Sequence, residues 1–343
     1  MARRIRASTI FNLVVLAIGI VAFGFVVDHL GWSGIEQAVV STGAWFVVIA
    51  LIDLFSATFD AFSIYGFLRP KQRVSYWRVY AAQLSGMAIN RLTPGNSLGE
   101  PVKVTMLVRS VPVEHAVSAV VMFNLTTMYV GIAAIVVGVP LTALLLDLPE
   151  RIALIVWIGL AVLVVFAIAV AILVRRGALA TLIDGLVGLH VISAARGTRW
   201  RAKIVAIDGR LRGIGDTRNS GIVAGLAGVL GSRVTNWVGT IVVLYAADIP
   251  MTAPLVIASL SVGILVTWMS NVVPLGLGLA DGTNYVLYGL LGAAPVAGLT
   301  FTLLNRLRTV VLALLGLTAM AIANALHRRN TPVSAPSVIS ETP

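Results

Sequence analysis

Nine ionisable side chains stand inside stretches of sequence that are otherwise apolar. The acids are Asp53, Asp60, Glu100 and Asp281; the bases are Arg91, Lys103, Arg233, Arg306 and Arg308. A charge at bilayer depth is costly, so such groups mark ion pairs, proton relays or binding sites. Asp53 and Asp60 are seven residues apart, which puts both on one helix face, where they could exchange protons. Arg91 and Glu100 flank the tripeptide Pro94-Gly95-Asn96, and Lys103 follows one turn later. Arg233 and Arg306 fall well inside long apolar runs. With more bases than acids, the set suits a group that arrives with its own negative charge. Arg91, Glu100, Lys103, Arg233, Asp281, Arg306 and the turn residue Asn96 are therefore candidate substrate-binding residues for an anionic or zwitterionic group. The alternative is that these charges only pair with one another and lock a helical bundle. Arg308 lies two residues from Arg306, is expected to face elsewhere, and is left out of the set.

Other chemistries find little support. Cysteine is absent, which removes thiolate catalysis, disulfides and Cys-based metal sites. Gly95-Asn96-Ser97-Leu98-Gly99 matches the G-x-S-x-G pattern of a nucleophile elbow, but that motif needs a preceding strand and a His base within reach. The four histidines, 29, 115, 190 and 327, all lie at or beyond the edges of the apolar runs. Gly276-Leu277-Gly278 lacks the third glycine of a dinucleotide loop. No cofactor and no metal is expected.

The elements that hold these residues are apolar helices. Of 343 residues, 58% are hydrophobic and 11% charged, with a mean hydropathy of +0.96. A soluble domain carries about 25% charged residues, so lipid must be the solvent. Residues 9–27, 44–68, 116–146, 152–174, 220–247 and 309–326 approach or exceed the ~20 apolar residues that span a bilayer. Basic residues set the orientation. With the N-terminus placed in the cytoplasm, the inside segments hold nineteen of the 25 Lys and Arg, and the outside loops hold Arg151 alone. The net charge of +11 is thus topology and no sign of a nucleic-acid partner. The expected setting is a cell membrane (inner or plasma), crossed several times, with both termini cytoplasmic.

This orientation leaves two stretches that start and end on the same side, near 79–108 and 252–292. Each is broken by Pro and Gly, at Pro94-Gly95 and at Pro274-Leu275-Gly276-Leu277-Gly278. Each reads as a re-entrant helical hairpin, tolerated where protein or a watery cavity satisfies the freed backbone. Ser97-Leu98-Gly99-Glu100 also fits a capping box, with Glu100 folding back on the helix start.

The expected fold is therefore an all-α polytopic membrane protein. It has about six spanning helices and two re-entrant hairpins of opposite orientation. After a basic N-terminus (1–8), a first membrane half (9–147) and a second (148–326) match in inverted order, the pattern of many transporters. Within the second half, 178–217 is basic and amphipathic, suited to an anionic leaflet surface or to a solvated connector. Residues 327–343 form a polar tail, read as disordered. Gly221 and Gly225 make a small-xxx-small face for helix packing, with homodimerisation as one use.

The segments PGNSLGEPVKVTML, VVPLGLGLADG and LLNRLRTVV resemble the lysylphosphatidylglycerol synthase transmembrane (flippase-like) family, over about residues 10–326. Members show P-G-x-x-G-E followed by a base, then P-x-G-x-G-x-x-E, then an Arg in a Leu-rich helix. The resemblance assigns Glu100 and Lys103 to the first motif, Asp281 to the second and Arg306 to the late Arg. Asp281 stands where Glu is usual, and Asn124 stands where an Arg is common, so Asn124 joins the candidate site. G-E-P-V-K with N-L-T is similar to the hopanoid-biosynthesis-associated branch. The resemblance implies translocation of membrane lipids or lipid-linked head groups between leaflets. A membrane-embedded transferase acting on a lipid-linked substrate is the alternative. This stretch carries no soluble aminoacyl-transferase domain, so lipid aminoacylation is not implied.

Overall fold

The computed structural model describes residues 42–68, 74–93, 95, 98–146, 150–176, 209, 220–270 and 278–329, with a few positions between 13 and 21. Most of the first apolar run and of the basic segment 178–217, the tail beyond 329 and most of the Pro274–Gly278 break lie outside them. All elements among the described residues are helical. In chain order they are α1 (Ala44–Phe67), α2 (Tyr76–Leu92), α3 (Gly99–Leu107), α4 (Val113–Leu144), α5 (Glu150–Arg176), α6 (Ser220–Ala246), α7 (Ala253–Ser270), α8 (Leu279–Leu290) and α9 (Pro295–Arg329).

Six of these are long and apolar enough to cross a membrane: α1, α4, α5, α6, α7 and α9. Five of them are expected spans, and α7 is an addition; the expected span at 9–27 falls mostly outside the described residues. Helix α7, expected as half of a re-entrant hairpin, has 18 residues. At 1.5 Å rise per residue that is ~27 Å, close to the hydrocarbon thickness.

The core seam is the antiparallel pair α1–α6. Trp45 meets Tyr245 at one end, with ring centroids 5.1 Å apart. At the other end Gly66 lies against Gly221 and Gly225. Midway, the buried hydroxyls of Ser56 and Ser232 are 3.1 Å apart, and Ser63 donates to the Gly225 carbonyl at 2.7 Å. Lipid gives two helices no hydrophobic reason to associate, so small residues and interhelical hydrogen bonds do this work. The Gly221/Gly225 face is therefore occupied within the chain, and a second copy would have to use another surface. A Cβ added at Gly228 would lie 2.8 Å from both the Phe59 carbonyl and the Ser63 nitrogen. Both are backbone atoms that cannot rotate away. Gly228→Val should cost about 1–3 kcal/mol, read as a lower melting temperature in detergent. Gly159→Val, with nothing within 4 Å of its Cβ, should leave that temperature nearly unchanged.

Around the seam the packing repeats. Helix α2 packs on α9 as α7 packs on α4, α3 packs on α4 as α8 packs on α9, and α2–α3 pair as α7–α8 do. Exchanging α1–α4 for α6–α9 maps these neighbours onto one another. By their packing α2–α3 and α7–α8 each form a helical hairpin, and Gly278, just before α8, has φ of 78°; positions 94, 96–97 and 271–277 between the paired helices lie outside the described residues. Helix α5 stands apart, with α4 its main neighbour.

Candidate functional site

At the first hairpin the carboxylate of Glu100 opens α3. Asn90, on α2, donates to Glu100 Oε1 at 3.0 Å and accepts from the Gly99 nitrogen at 2.6 Å. Lys103 donates to the same Glu100 oxygen at 2.9 Å while only 3% exposed. Its ammonium lies 5.3 Å from the centre of the Phe123 ring, a cation–π contact. The N-cap of α3 is Leu98, which makes no side-chain cap bond, and Asn90 holds the Gly99 nitrogen. Ser97, on which the expected capping box rests, lies outside the described residues.

At the second hairpin Asp281 caps α8. It accepts from the Gly278 nitrogen at 2.9 Å and pairs with Arg306 on α9. Arg306 sits eleven residues past the start of α9, and Asn124 eleven past the start of α4. Asn124 faces Glu100, so acid and partner recur at both hairpins. One partner is a guanidinium and the other an amide.

Between the hairpins and the α1–α6 seam lies a cavity of about 370 Å³. Asp53, Asp60, Arg91, Arg233, Arg306 and Arg308 all line it. Asp53 is 3% exposed and takes a two-pronged pair from Arg308, through Nε and Nη2. The exclusion of Arg308 is thus overturned. Two residues of helix turn it by ~200° from Arg306, toward α1, but a long side chain brings its charge back to the shared cavity. Asp60 accepts from Gln83 at 3.1 Å, with Ser232 and Arg233 beside it. Arg91 makes no ion pair and no hydrogen bond among the described residues. Arg233 has only a long contact of 3.5 Å to the Thr127 carbonyl.

The model of the family described as "Lysylphosphatidylglycerol synthase TM region" matches residues 12–316. The chain belongs to that family. Neither a curated protein nor a solved structure matches it. The match reaches the family and no branch within it.

In this family member the expected site residues therefore divide. Asp53, Asp60, Arg91, Arg233 and Arg306 share the cavity. Asp281 reaches it through Arg306. Glu100, Lys103 and Asn124 form a cluster of their own that does not line the cavity, though the Lys103 charge reaches Asp60. Asn96 lies outside the described residues. Sequence reasoning missed Asn90, Gln83 and Asn236. Asn236 donates to Ser56 at 2.7 Å and lines the cavity. For Asn236 the signal was available, because it is a carboxamide inside a long apolar helix, where an unpaired amide is expensive; α2, which carries Gln83 and Asn90, is not apolar enough to raise it.

Proposed function

We propose that this protein moves an anionic or zwitterionic lipid, or a lipid-linked head group, from one leaflet to the other, without chemical conversion. The head group occupies the cavity between the hairpins while the acyl chains stay in the bilayer. The observation that carries this reading is the cavity itself. It is buried among apolar helices, has room for a head group of about 370 Å³, and offers the guanidiniums of Arg91 and Arg233 without a protein acid of their own. Sites of this size with a few convergent polar groups are ordinary ligand sites. The family's lipid association points the same way. The charge asymmetry supports cytoplasmic termini in a cell membrane.

Reconstitution into liposomes tests this. Head-group-labelled phospholipids are incorporated, and the fraction accessible to an outside quencher is followed in time. Labelled head groups should exchange faster than in protein-free liposomes. Exchange at the protein-free rate for every lipid tried would overturn the reading. A product formed in detergent, where movement between leaflets has no meaning, would replace it with a transferase.

A further inference from the structure

The cavity holds more hydrogen-bond donors than the protein uses. Ser270 at the end of α7 is 6% exposed, and its buried hydroxyl has no partner among the described residues. The same holds for the Thr127 hydroxyl and for the Trp237 indole nitrogen. All three residues line the cavity with Arg233. Trp237 is four residues after Arg233, so the two share a face of α6, while Thr127 comes from α4 and Ser270 from α7. Three elements thus bring unpartnered, buried donors to the wall of one cavity. Indole N–H and guanidinium groups can only donate. A buried donor left unmade costs the full desolvation of that group, so the arrangement fits an acceptor-rich guest.

Charge narrows the guest further. Four guanidiniums line the cavity, those of Arg91, Arg233, Arg306 and Arg308. Asp53 balances Arg308 and Asp281 balances Arg306. Asp60 acts on both Arg91 and Arg233, and Asp53 acts on Arg91 as well. Three acids thus face four guanidiniums, and among the described residues one positive charge is left over. A phosphodiester carries one negative charge and two free acceptor oxygens.

We infer that Arg233, Trp237, Thr127 and Ser270 form a phosphate subsite, with Arg91 as the second cation, and that the preferred lipid has a net-negative phosphodiester head group without an ammonium. Head groups that add a cation, including the lysyl ester in the family's description, are disfavoured. An ammonium would have only Asp60 to meet, already shared between two arginines. This deepens the transport reading by naming the lipid class, but it concerns binding and is tested by binding.

The protein is placed in nanodiscs of equal parts phosphatidylglycerol, phosphatidylcholine and diglucosyl diacylglycerol, then released for native mass spectrometry. Phosphatidylglycerol should be retained about tenfold over the other two, and Arg233→Gln should abolish that preference. Trp237→Phe keeps the ring and loses the donor, and Ser270→Ala removes one hydroxyl. Each should lower the preference about threefold, even where Arg233→Gln fails to fold. In a second arm lysylphosphatidylglycerol replaces phosphatidylcholine and should be retained less than phosphatidylglycerol. In a third arm inorganic phosphate at millimolar concentration separates a free anion from a lipid head group, and should leave the retained lipid in place. Equal retention of the neutral, zwitterionic or lysyl lipid overturns the inference. So does an unchanged preference in the folded variants, or displacement of the lipid by free phosphate. Absence of transport with the preference intact would sink the transport reading and leave this one standing.

Discussion

Replacing Asp53 by Ala should destabilise this protein by about 3–5 kcal/mol, more than replacing Asp53 and Arg308 together. The pair is buried, with Asp53 3% and Arg308 11% exposed. Attraction between the two charges offsets the cost of taking both out of water. Removing one partner leaves the other charged and unmatched in a low-dielectric setting, and that residue of cost is what the single variant measures. Asp53→Ala and Arg308→Ala should each lower the melting temperature and the yield of monodisperse protein. Asp53→Ala/Arg308→Ala should recover part of both. A double variant as unstable as the sum of the singles would show that the two residues act independently and would refute the pairing.

The opposite pattern is expected at Arg91, on the same cavity wall. Its guanidinium makes no ion pair or hydrogen bond among the described residues, and Asp60 keeps Gln83, Ser232 and Arg233 beside it, so Arg91→Gln leaves no acid without a partner and should cost no more than about 1 kcal/mol. Its value is realised only when a substrate's negative charge arrives. A hydrogen bond to a charged group contributes about 1.5–3 kcal/mol, which corresponds to roughly a tenfold to 150-fold loss of affinity. Head-group exchange in liposomes at limiting lipid should fall by that factor while the melting temperature holds. A variant that unfolds, or one that folds and transports like the wild type, would remove Arg91 from the site.

These contrasting expectations also show what the sequence made legible. Helices α1, α4, α5, α6 and α9 follow from composition alone, because apolar runs of this length have one use; α7 does not, since the break after it reads as the tip of a hairpin. The breaks at Pro94-Gly95 and Pro274–Gly278 do separate helices, and the set Asp53, Asp60, Arg91, Arg233 and Arg306 does converge. Pairing was out of reach. Helical spacing predicts correctly that Arg306 and Arg308 point in different directions, yet says nothing of where a six-atom side chain ends. The partner of Asp53 is 255 residues away, set by how α9 crosses α1. Glu100 and Asp281 read as equivalent acids, but among the described residues only Asp281 caps its helix. At α3 the Gly99 nitrogen is held by Asn90, a neighbour that hydropathy does not single out.

Helix α5 carries one last consequence. Its apolar window has a hydropathy of 3.0, the highest of the six, and only 6% of it is buried against the rest of the chain. Beyond its contact with α4, through Val156, Leu160 and Leu163, most of its surface is left to the hydrocarbon around it. Acyl chain length and order decide how firmly that segment sits, and a melting curve recorded in a micelle reports on the other helices while leaving α5 to the detergent.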